Sequence, residues 1–282
     1  MKIKCIALDL DRTTLASDGH LSRENREALE EAIRAGIHVA VASGRSLDSL
    51  PEEIMDIPGI RYAITSNGAA VYDIRKGECL RRYRLTADSV MEILKHTEEQ
   101  NVSFEAFING KPYAEERYVT DPVRFGAMPQ AIPYIQKTRT PIKDMRAFIS
   151  SHREELDCID VVVKGEQFKK ELWKTLEKEV PDVYITSSVP QLLEISYRES
   201  GKASGTKFLL DHLGLEKEDL AAFGDGDNDA ELLAFAGMGF AVANASEACR
   251  KAADRIVETN DQNGVARGIR MILEEHSREI VL

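Results

Sequence analysis

Two aspartates separated by one residue, Asp9 and Asp11, follow a run of apolar residues near the start of the chain. Along an extended strand, residues two apart project from the same side, so this spacing sets the two carboxylates beside each other. Two negative charges that close repel unless a cation lies between them. The pair therefore predicts a cationic partner that another part of the chain supplies or binds.

A second acidic segment follows another apolar run late in the chain. It reads FGDGDND over residues 223–229 and contains three aspartates and Asn228. Carboxylates crowded into one crevice need a divalent cation, and oxygen ligands without histidine favour Mg²⁺ over zinc. We therefore expect a Mg²⁺ site to which both segments contribute. Taken alone, the first segment could be a solvated strand end and the second a calcium-type loop.

Two further segments have the residue types of a phosphate site. A cation held by a few carboxylates with open positions most often serves a phosphate. The segment VASGR ends an apolar run with the small hydroxyl of Ser43 and with backbone N–H groups, as in an anion-binding turn. Lys202 begins an amphipathic helix, where the helix dipole also favours an anion. These features predict that Ser43 and Lys202 contact phosphate oxygens.

The elements that must position these residues are apolar strands alternating with helices. Such alternation predicts βαβ units and a parallel sheet covered by helices on both faces, an α/β fold of Rossmann-like type. Ligands bind at the carboxyl ends of the strands in such sheets. The polar strand ends are therefore expected to meet in one crevice, and they lie at residues 8–11, 42–45, 65–68 and 223–229.

The middle of the chain follows a different pattern and predicts an inserted α+β cap domain at 84–188, leaving 1–83 and 189–282 as the core. A hairpin is expected at Asn109–Gly110, since Asn-Gly is the preferred two-residue turn. Residues 117–140 are rich in Pro, Thr and Gln and are expected to be irregular.

The charge and the cysteine content of the chain indicate which classes of binding partner and which cellular location to expect. The chain has 282 residues and a formal net charge of −11, with no basic block, so neither nucleic acid nor an anionic membrane surface is an expected partner. Four dispersed cysteines indicate reduced thiols and a cytoplasmic location, and no apolar run approaches the length of a membrane span. The sequence does not predict the oligomeric state.

Five motifs in order resemble those of the haloacid dehalogenase (HAD) superfamily phosphatases, in particular the Cof-type branch with a large inserted cap. They are DLDRTTL (9–15), SGR (43–45), SNGA (66–69), KASGTKFLLDHLG (202–214) and GDGDND (224–229). The resemblance covers nearly the whole predicted core, and in the cap only the order of helices and strands. Arg12 departs from it, because the family usually has glycine there.

The resemblance implies a role for each motif residue. Asp9 would be the nucleophile that forms an aspartyl-phosphate, and Asp11 the general acid and base. Mg²⁺ would be held by the Asp9 carboxylate, the Asp11 backbone carbonyl and Asp225. The phosphate would be bound by the Leu10 N–H, Ser43, Gly44, Lys202 and Asn228. Asp229 would orient Lys202 or a water on the metal, and Arg45 the phosphate loop.

The sequence thus predicts a Mg²⁺-dependent phosphomonoester hydrolase acting on a small phosphorylated metabolite, either a sugar phosphate or a phosphorylated cofactor precursor. Two alternatives remain open: a sugar phosphomutase of the same fold, and a phosphate- and metal-binding module without turnover. Arg12 has two interpretations of its own. Either its backbone is ordinary and its side chain is a solvated surface charge, or its guanidinium binds an anionic group of the substrate.

Overall fold

The computed structural model describes residues 2–180 and 182–280. The strands within these residues are β1 (Cys5–Leu8), β2 (His38–Ala42), β3 (Ile60–Thr65), β4 (Ala70–Asp73), β5 (Glu78–Arg82), β6 (Ser103–Ile108), β7 (Lys111–Glu115), β8 (Thr140–Ile142), β9 (Leu156–Val162), β10 (Val183–Thr186), β11 (Leu192–Tyr197), β12 (Leu220–Gly224), β13 (Met238–Val242) and β14 (Arg255–Val257).

The helices are α1 (Arg23–Arg34), α2 (Glu52–Met55), α3 (Ala87–His96), α4 (Glu116–Thr120), α5 (Ile132–Thr138), α6 (Met145–Ser151), α7 (Glu166–Glu179), α8 (Lys202–Leu213), α9 (Ala230–Phe235), α10 (Glu247–Ala252) and α11 (Gly264–Ile280). None of those in the described part of the chain is long and apolar enough to cross a membrane.

The first sheet has eight strands in the order β14-β13-β12-β1-β2-β3-β4-β5. The strands from β14 to β3 run parallel, and β4 turns back antiparallel to β3. Every residue of β1 and β12 is buried, as expected of strands with helices on both faces. The predicted α/β core with a parallel sheet is confirmed. In this topology β1 and β12 are neighbours, which brings the ends of the two acidic segments together.

The second sheet has six strands in the order β10-β11-β9-β6-β7-β8 and is largely antiparallel. Its β6–β7 hairpin turns through Asn109 and Gly110, whose φ values of 53° and 81° are those of a two-residue type I′ turn. One apolar cluster packs this sheet with α3, α6 and α7, and Trp173 lies against that cluster.

The prediction that residues 117–140 are irregular is wrong in part. This stretch contains most of α4, all of α5 and two short 3-10 turns, and it buries Tyr118, Phe125 and Ile135 in a second apolar cluster. All three of its prolines lie in the first turns of helical segments, where a missing N–H costs no hydrogen bond.

The chain divides into two compact units. The first comprises the chain up to Gly44, Leu50–Leu80 and the chain from Gly201 onward, and the second comprises Arg45–Ser49 and Arg81–Ser200. The boundaries expected from the sequence, 84 and 188, differ from these. The larger difference is at 189–200, because β11 pairs with β9 and β10 and so belongs to the second sheet.

Candidate active site

The carboxyl ends of β1 and β12 lie side by side. Leu8 is in register with Phe223, and the N–H of Asp9 donates to the carbonyl of Phe223 at 3.0 Å. This parallel pairing places Asp9 beside the loop that begins at Asp225. The crevice predicted from the two acidic segments therefore has a simple structural cause, since two adjacent buried strands end at the same level.

Lys202 connects the two acidic segments through a buried ion-pair network. Its Nζ lies 2.7 Å from Oδ1 of Asp9 and 2.6 Å from Oδ1 of Asp229, and all three side chains are buried. Burial alone lowers the pKa of Lys202, but the carboxylates of Asp229 and Asp9 more than offset this effect and raise it. The ammonium therefore stays charged in the interior of the site.

Asp229 fixes the loop that carries Asp225. Its Oδ2 accepts the backbone N–H groups of Asp225 at 3.0 Å and Gly226 at 2.9 Å, while its Oδ1 holds Lys202. The resulting position of Asp225 is secured further by Thr13, whose hydroxyl donates to Oδ1 of Asp225 at 3.0 Å. The expected role of Asp229, to orient Lys202 or a water on the metal, stays a prediction.

The carboxylates of Asp9, Asp225 and Asp229 form a group able to hold a metal ion, with one oxygen of each within 4.8 Å of the others. Burial, and next the negative charge of Asp229, raises the pKa of Asp9 well above its ordinary range and that of Asp225 to about 6. Lys202 thus supplies less positive charge than the ionised cluster requires, and a divalent cation fits this deficit.

Asp11 does not belong to that carboxylate group. It is exposed on the irregular turn Leu10–Thr14, in extended backbone with φ −68° and ψ 123°. A carboxyl group at the surface of the turn remains accessible to a leaving group and to water, as the expected acid–base role requires. The expected metal contact of Asp11, through its backbone carbonyl, stays a prediction.

The predicted phosphate-binding residues come from four segments of the first unit, which follow β1, follow β2, begin α8 and follow β12. Ser43 is buried, and its N–H donates to Ile64 at 2.9 Å. Asn228 is also buried, and its amide Nδ2 donates to Oδ1 of Asn67 at 3.0 Å. Asn67 also donates its own N–H to the carbonyl of Ser43 at 3.1 Å. Asn67 lies in the SNGA motif, but the sequence did not predict a role for it.

The remaining predicted residues divide between the two units. Leu10 is buried and begins the turn after β1, with its carbonyl accepting the N–H of Leu15 at 2.8 Å. Gly44 is the last residue of its segment of the first unit, and Arg45 groups with the second. The Arg45 guanidinium donates to the carbonyl of Ser49 at 3.0 Å and stacks on Tyr134, 4.1 Å from the ring centroid.

Arg12 matches neither of its two interpretations in full. Its backbone is left-handed, with φ 60° and ψ 8°, which gives a physical reason for the glycine usual at this position in the resembled family. Its side chain is 61% exposed, yet its Nε lies 4.0 Å from Oδ2 of Asp225. The guanidinium therefore lies beside a carboxylate of the site itself.

Two residues between β13 and α10 support the acidic loop, and the sequence did not predict either of them. Ser246 donates its N–H to the carbonyl of Asp225 at 2.8 Å and its hydroxyl to the exposed Asp227 at 2.6 Å. Asn244 donates to the carbonyl of Arg12 at 2.9 Å. No spacing rule predicts such contacts, because the segments are far apart in sequence and meet only through the sheet.

Known proteins resemble this chain over nearly its whole length. The family model of haloacid dehalogenase-like hydrolases matches residues 6–269. Phosphatase YwpJ of Bacillus subtilis (strain 168) is 32% identical over 288 residues, which cover 96% of this chain and 100% of that protein. The 5-amino-6-(5-phospho-D-ribitylamino)uracil phosphatase YcsE of the same organism is 28% identical, covering 95% of each. A solved haloacid dehalogenase-like hydrolase from Bacteroides thetaiotaomicron superimposes with a TM-score of 0.79 at 28% identity, covering 96% of this chain and 100% of that one.

Proposed function

The chain belongs to the haloacid dehalogenase-like hydrolases and is a phosphatase, and we propose that it is a Mg²⁺-dependent phosphomonoesterase that works through an aspartyl-phosphate on Asp9. The observation that carries this proposal is the buried contact of Lys202 with both Asp9 and Asp229. A nucleophilic carboxylate must be ionised, and the ammonium 2.7 Å away favours that state against the burial and the charge of Asp229, which raise the pKa of Asp9.

The reaction follows from the positions of the two aspartates. A carboxylate oxygen of Asp9 forms a bond to phosphorus while the bond from phosphorus to the leaving oxygen breaks, and Asp11 gives its proton to that oxygen. Asp11 then takes a proton from water, whose oxygen attacks phosphorus and releases Asp9 and inorganic phosphate. Ser43, Gly44, Asn228 and the N–H of Leu10 would contact the phosphate oxygens.

Asp9, Asp225 and the backbone carbonyl of Asp11 would hold Mg²⁺. When bound, the cation neutralises charge on the nucleophile and on the phosphoryl group. Asp229 is engaged by Lys202 and two backbone N–H groups, so we assign it to positioning rather than to the metal.

We propose a small phosphorylated metabolite as the substrate, either a sugar phosphate or a phosphorylated cofactor precursor. The relative YcsE, by its name, acts on a phosphorylated ribitylaminouracil, which is a small phosphate monoester. The net charge of −11 supports a substrate whose negative charge is met locally, by Lys202 and a metal, rather than by an extended basic surface.

The test is orthophosphate release from p-nitrophenyl phosphate and from a panel of phosphorylated metabolites. The wild-type protein is expected to hydrolyse these substrates in Mg²⁺ and to stop when EDTA removes the metal. The Asp9→Asn variant is expected to have no activity. The matched control is Asp56→Asn, because Asp56 is an exposed aspartate of the same unit. Isomerisation of a hexose phosphate would instead indicate a mutase, and absence of turnover across the panel a binding module.

Asp11→Asn separates acid–base catalysis from nucleophilic attack. We expect a loss of roughly 10²-fold or more for alkyl phosphates, the scale of general acid–base catalysis, and a smaller loss for p-nitrophenyl phosphate, whose leaving group needs little protonation. The fold should be unaffected because Asp11 is exposed. Equal rates of the variant and the wild type on an alkyl phosphate would show that Asp11 has no such role.

A further inference from the structure

The turn after β3 has three consecutive residues with positive φ. Ser66, Asn67 and Gly68 have φ values of 49°, 50° and 86°. Residues with a Cβ seldom adopt this conformation, and asparagine tolerates it better than most. Two such residues in succession persist only where surrounding contacts determine the backbone, and this is common at functional sites.

The contacts that fix this turn come from three different segments of the candidate active site. Asn67 donates its N–H to the carbonyl of Ser43 at 3.1 Å and accepts the N–H of Gly201 at its own carbonyl at 2.7 Å. Its side-chain Oδ1 accepts Nδ2 of Asn228 at 3.0 Å. Asn67 is 2% exposed, so these bonds form away from competing water.

The neighbouring glycine presses the same turn against the start of α8. A Cβ on Gly68 would collide with the backbone carbonyl of Gly201, the residue before Lys202. The position of Lys202 is therefore set by direct backbone packing as well as by the hydrogen bond from Gly201 to Asn67. The turn thus touches each segment that contributes a phosphate-binding side chain.

We propose that Asn67 is a positioning residue that holds the phosphate-binding set of Ser43, Lys202 and Asn228 in one arrangement. Its side chain accepts one of the two N–H bonds of the Asn228 amide, which fixes the plane of that amide and directs its second N–H to the phosphate. The proposal rests on the proposed function, because it concerns how that site binds phosphate.

Asn67→Gly isolates the side chain. Glycine adopts positive φ without strain, so the two backbone hydrogen bonds persist while the side-chain acceptor for Asn228 is lost. The matched control is Asn263→Gly in the same unit, since Asn263 also has positive φ, 61°, and lies outside the site. Asn228→Ala and the double variant complete a mutant cycle.

The measurement is competitive inhibition by inorganic phosphate, with KM and kcat for p-nitrophenyl phosphate in Mg²⁺. We expect Asn67→Gly to raise the inhibition constant about five- to tenfold, which corresponds to one hydrogen bond. Asn263→Gly should leave the inhibition constant unchanged. The double variant should bind phosphate no more weakly than Asn228→Ala alone. An unchanged constant in Asn67→Gly, or additive effects in the double variant, would overturn the proposal.

A crystal structure of Asn67→Gly provides a readout that does not depend on catalysis. We expect the Asn228 side chain to leave the position it has in the wild type, and an unmoved Asn228 would count against the proposal. If the wild type neither hydrolyses nor binds phosphate, the proposed function fails, and the position of Asn228 in the variant still decides the role of Asn67.

Discussion

Arg12 is held in a left-handed backbone conformation by its surroundings rather than by its own preference. For a residue with a Cβ this conformation costs about 1–2 kcal/mol. Its carbonyl accepts a hydrogen bond from Asn244, while its side-chain contact with Asp225, at 4.0 Å and 61% exposed, is a weak one. The turn between Asp9 and Asp225 is therefore strained at a position where glycine would relax it.

Replacing Arg12 should separate backbone strain from charge. We expect Arg12→Gly to be more stable than Arg12→Ala by about 1 kcal/mol, because both lack the guanidinium and only alanine keeps a Cβ at positive φ. The measurement is the free energy of unfolding from urea denaturation in EDTA. If alanine proved as stable as glycine, the left-handed conformation would cost nothing in the folded protein.

At the residue scale, the sequence predicts functional groups where a charged side chain stands next to a buried element. Carboxylates at the end of a buried strand and a lysine at a helix start are conspicuous, and the structure brings Asp9, Lys202, Asp225 and Asp229 together. Asn67 is not conspicuous, because its contribution is a backbone conformation and three hydrogen bonds to distant segments. Such a role exists only once the strands are paired.

At the scale of elements, the second sheet has three buried carboxylates abreast on neighbouring strands. Asp160 on β9 is in register with Glu105 on β6 and Glu194 on β11. Burial, and then the charges of Glu194 and Glu105, raise the pKa of Asp160 well above its ordinary range. Arg139 binds both oxygens of Glu105, at 3.0 and 2.9 Å. The Arg139 guanidinium therefore compensates the buried charge of Glu105.

Removing that guanidinium should destabilise the second unit strongly. We expect Arg139→Met to cost about 3–5 kcal/mol, because it leaves Glu105 buried without its partner. The exposed pair of Arg198 and Asp182 is the control, and Arg198→Met should cost about 1 kcal/mol or less. Urea unfolding can be followed by the fluorescence of Trp173, the single tryptophan, which packs in this unit.

A second substitution at Glu105 tests whether the unpaired carboxylate causes that loss of stability. Glu105→Gln in the Arg139→Met background should recover part of the stability, since a neutral amide costs less to bury than a lone carboxylate. An Arg139→Met protein as stable as Arg198→Met would show that Glu105 does not depend on this guanidinium in the folded chain. The sequence offers no sign of this row, because register between distant strands decides which residues lie opposite each other.

At the scale of the whole molecule, the division of the chain is set by pairing that the sequence does not display. The chain enters the second unit twice, and the short segment Arg45–Ser49 groups with that unit although Gly44, directly before it, belongs to the first. The sequence pattern changes from alternating strands and helices to hairpins in the middle of the chain. This change indicates an insertion there, but it does not indicate the residues at which the insertion begins and ends. The return boundary depends on β11, which reads equally well as the first strand of the resumed core until its pairing with β9 is known.

The stability of the molecule depends on pH through its buried carboxyls. Burial raises the pKa of Asp157 from 3.8 to about 6, although Arg82 and the N–H of Gly110 contact its oxygens at 3.4 and 3.1 Å. Between these two values the folded chain keeps the Asp157 proton and the unfolded chain has lost it. Raising the pH therefore favours the unfolded chain, and the stability that is present near pH 4 is lost by about pH 6–7.

The Asp157→Asn variant has no carboxyl at this position, so its stability no longer depends on the Asp157 proton. A shift from 3.8 to about 6 corresponds to about 3 kcal/mol over the whole titration, and about 2 kcal/mol of it falls between pH 4.5 and 7.5. The wild type should therefore lose about 2 kcal/mol of stability relative to Asp157→Asn over that range. Trp173 fluorescence during urea unfolding in EDTA measures both proteins, and EDTA excludes stabilisation by a bound metal. Loss of the carboxylate partner of Arg82 changes the stability of the variant by the same amount at every pH. The test is therefore the slope of stability against pH, not its absolute value. Parallel stability curves for the two proteins would mean that Asp157 is ionised throughout, with Arg82 outweighing its burial.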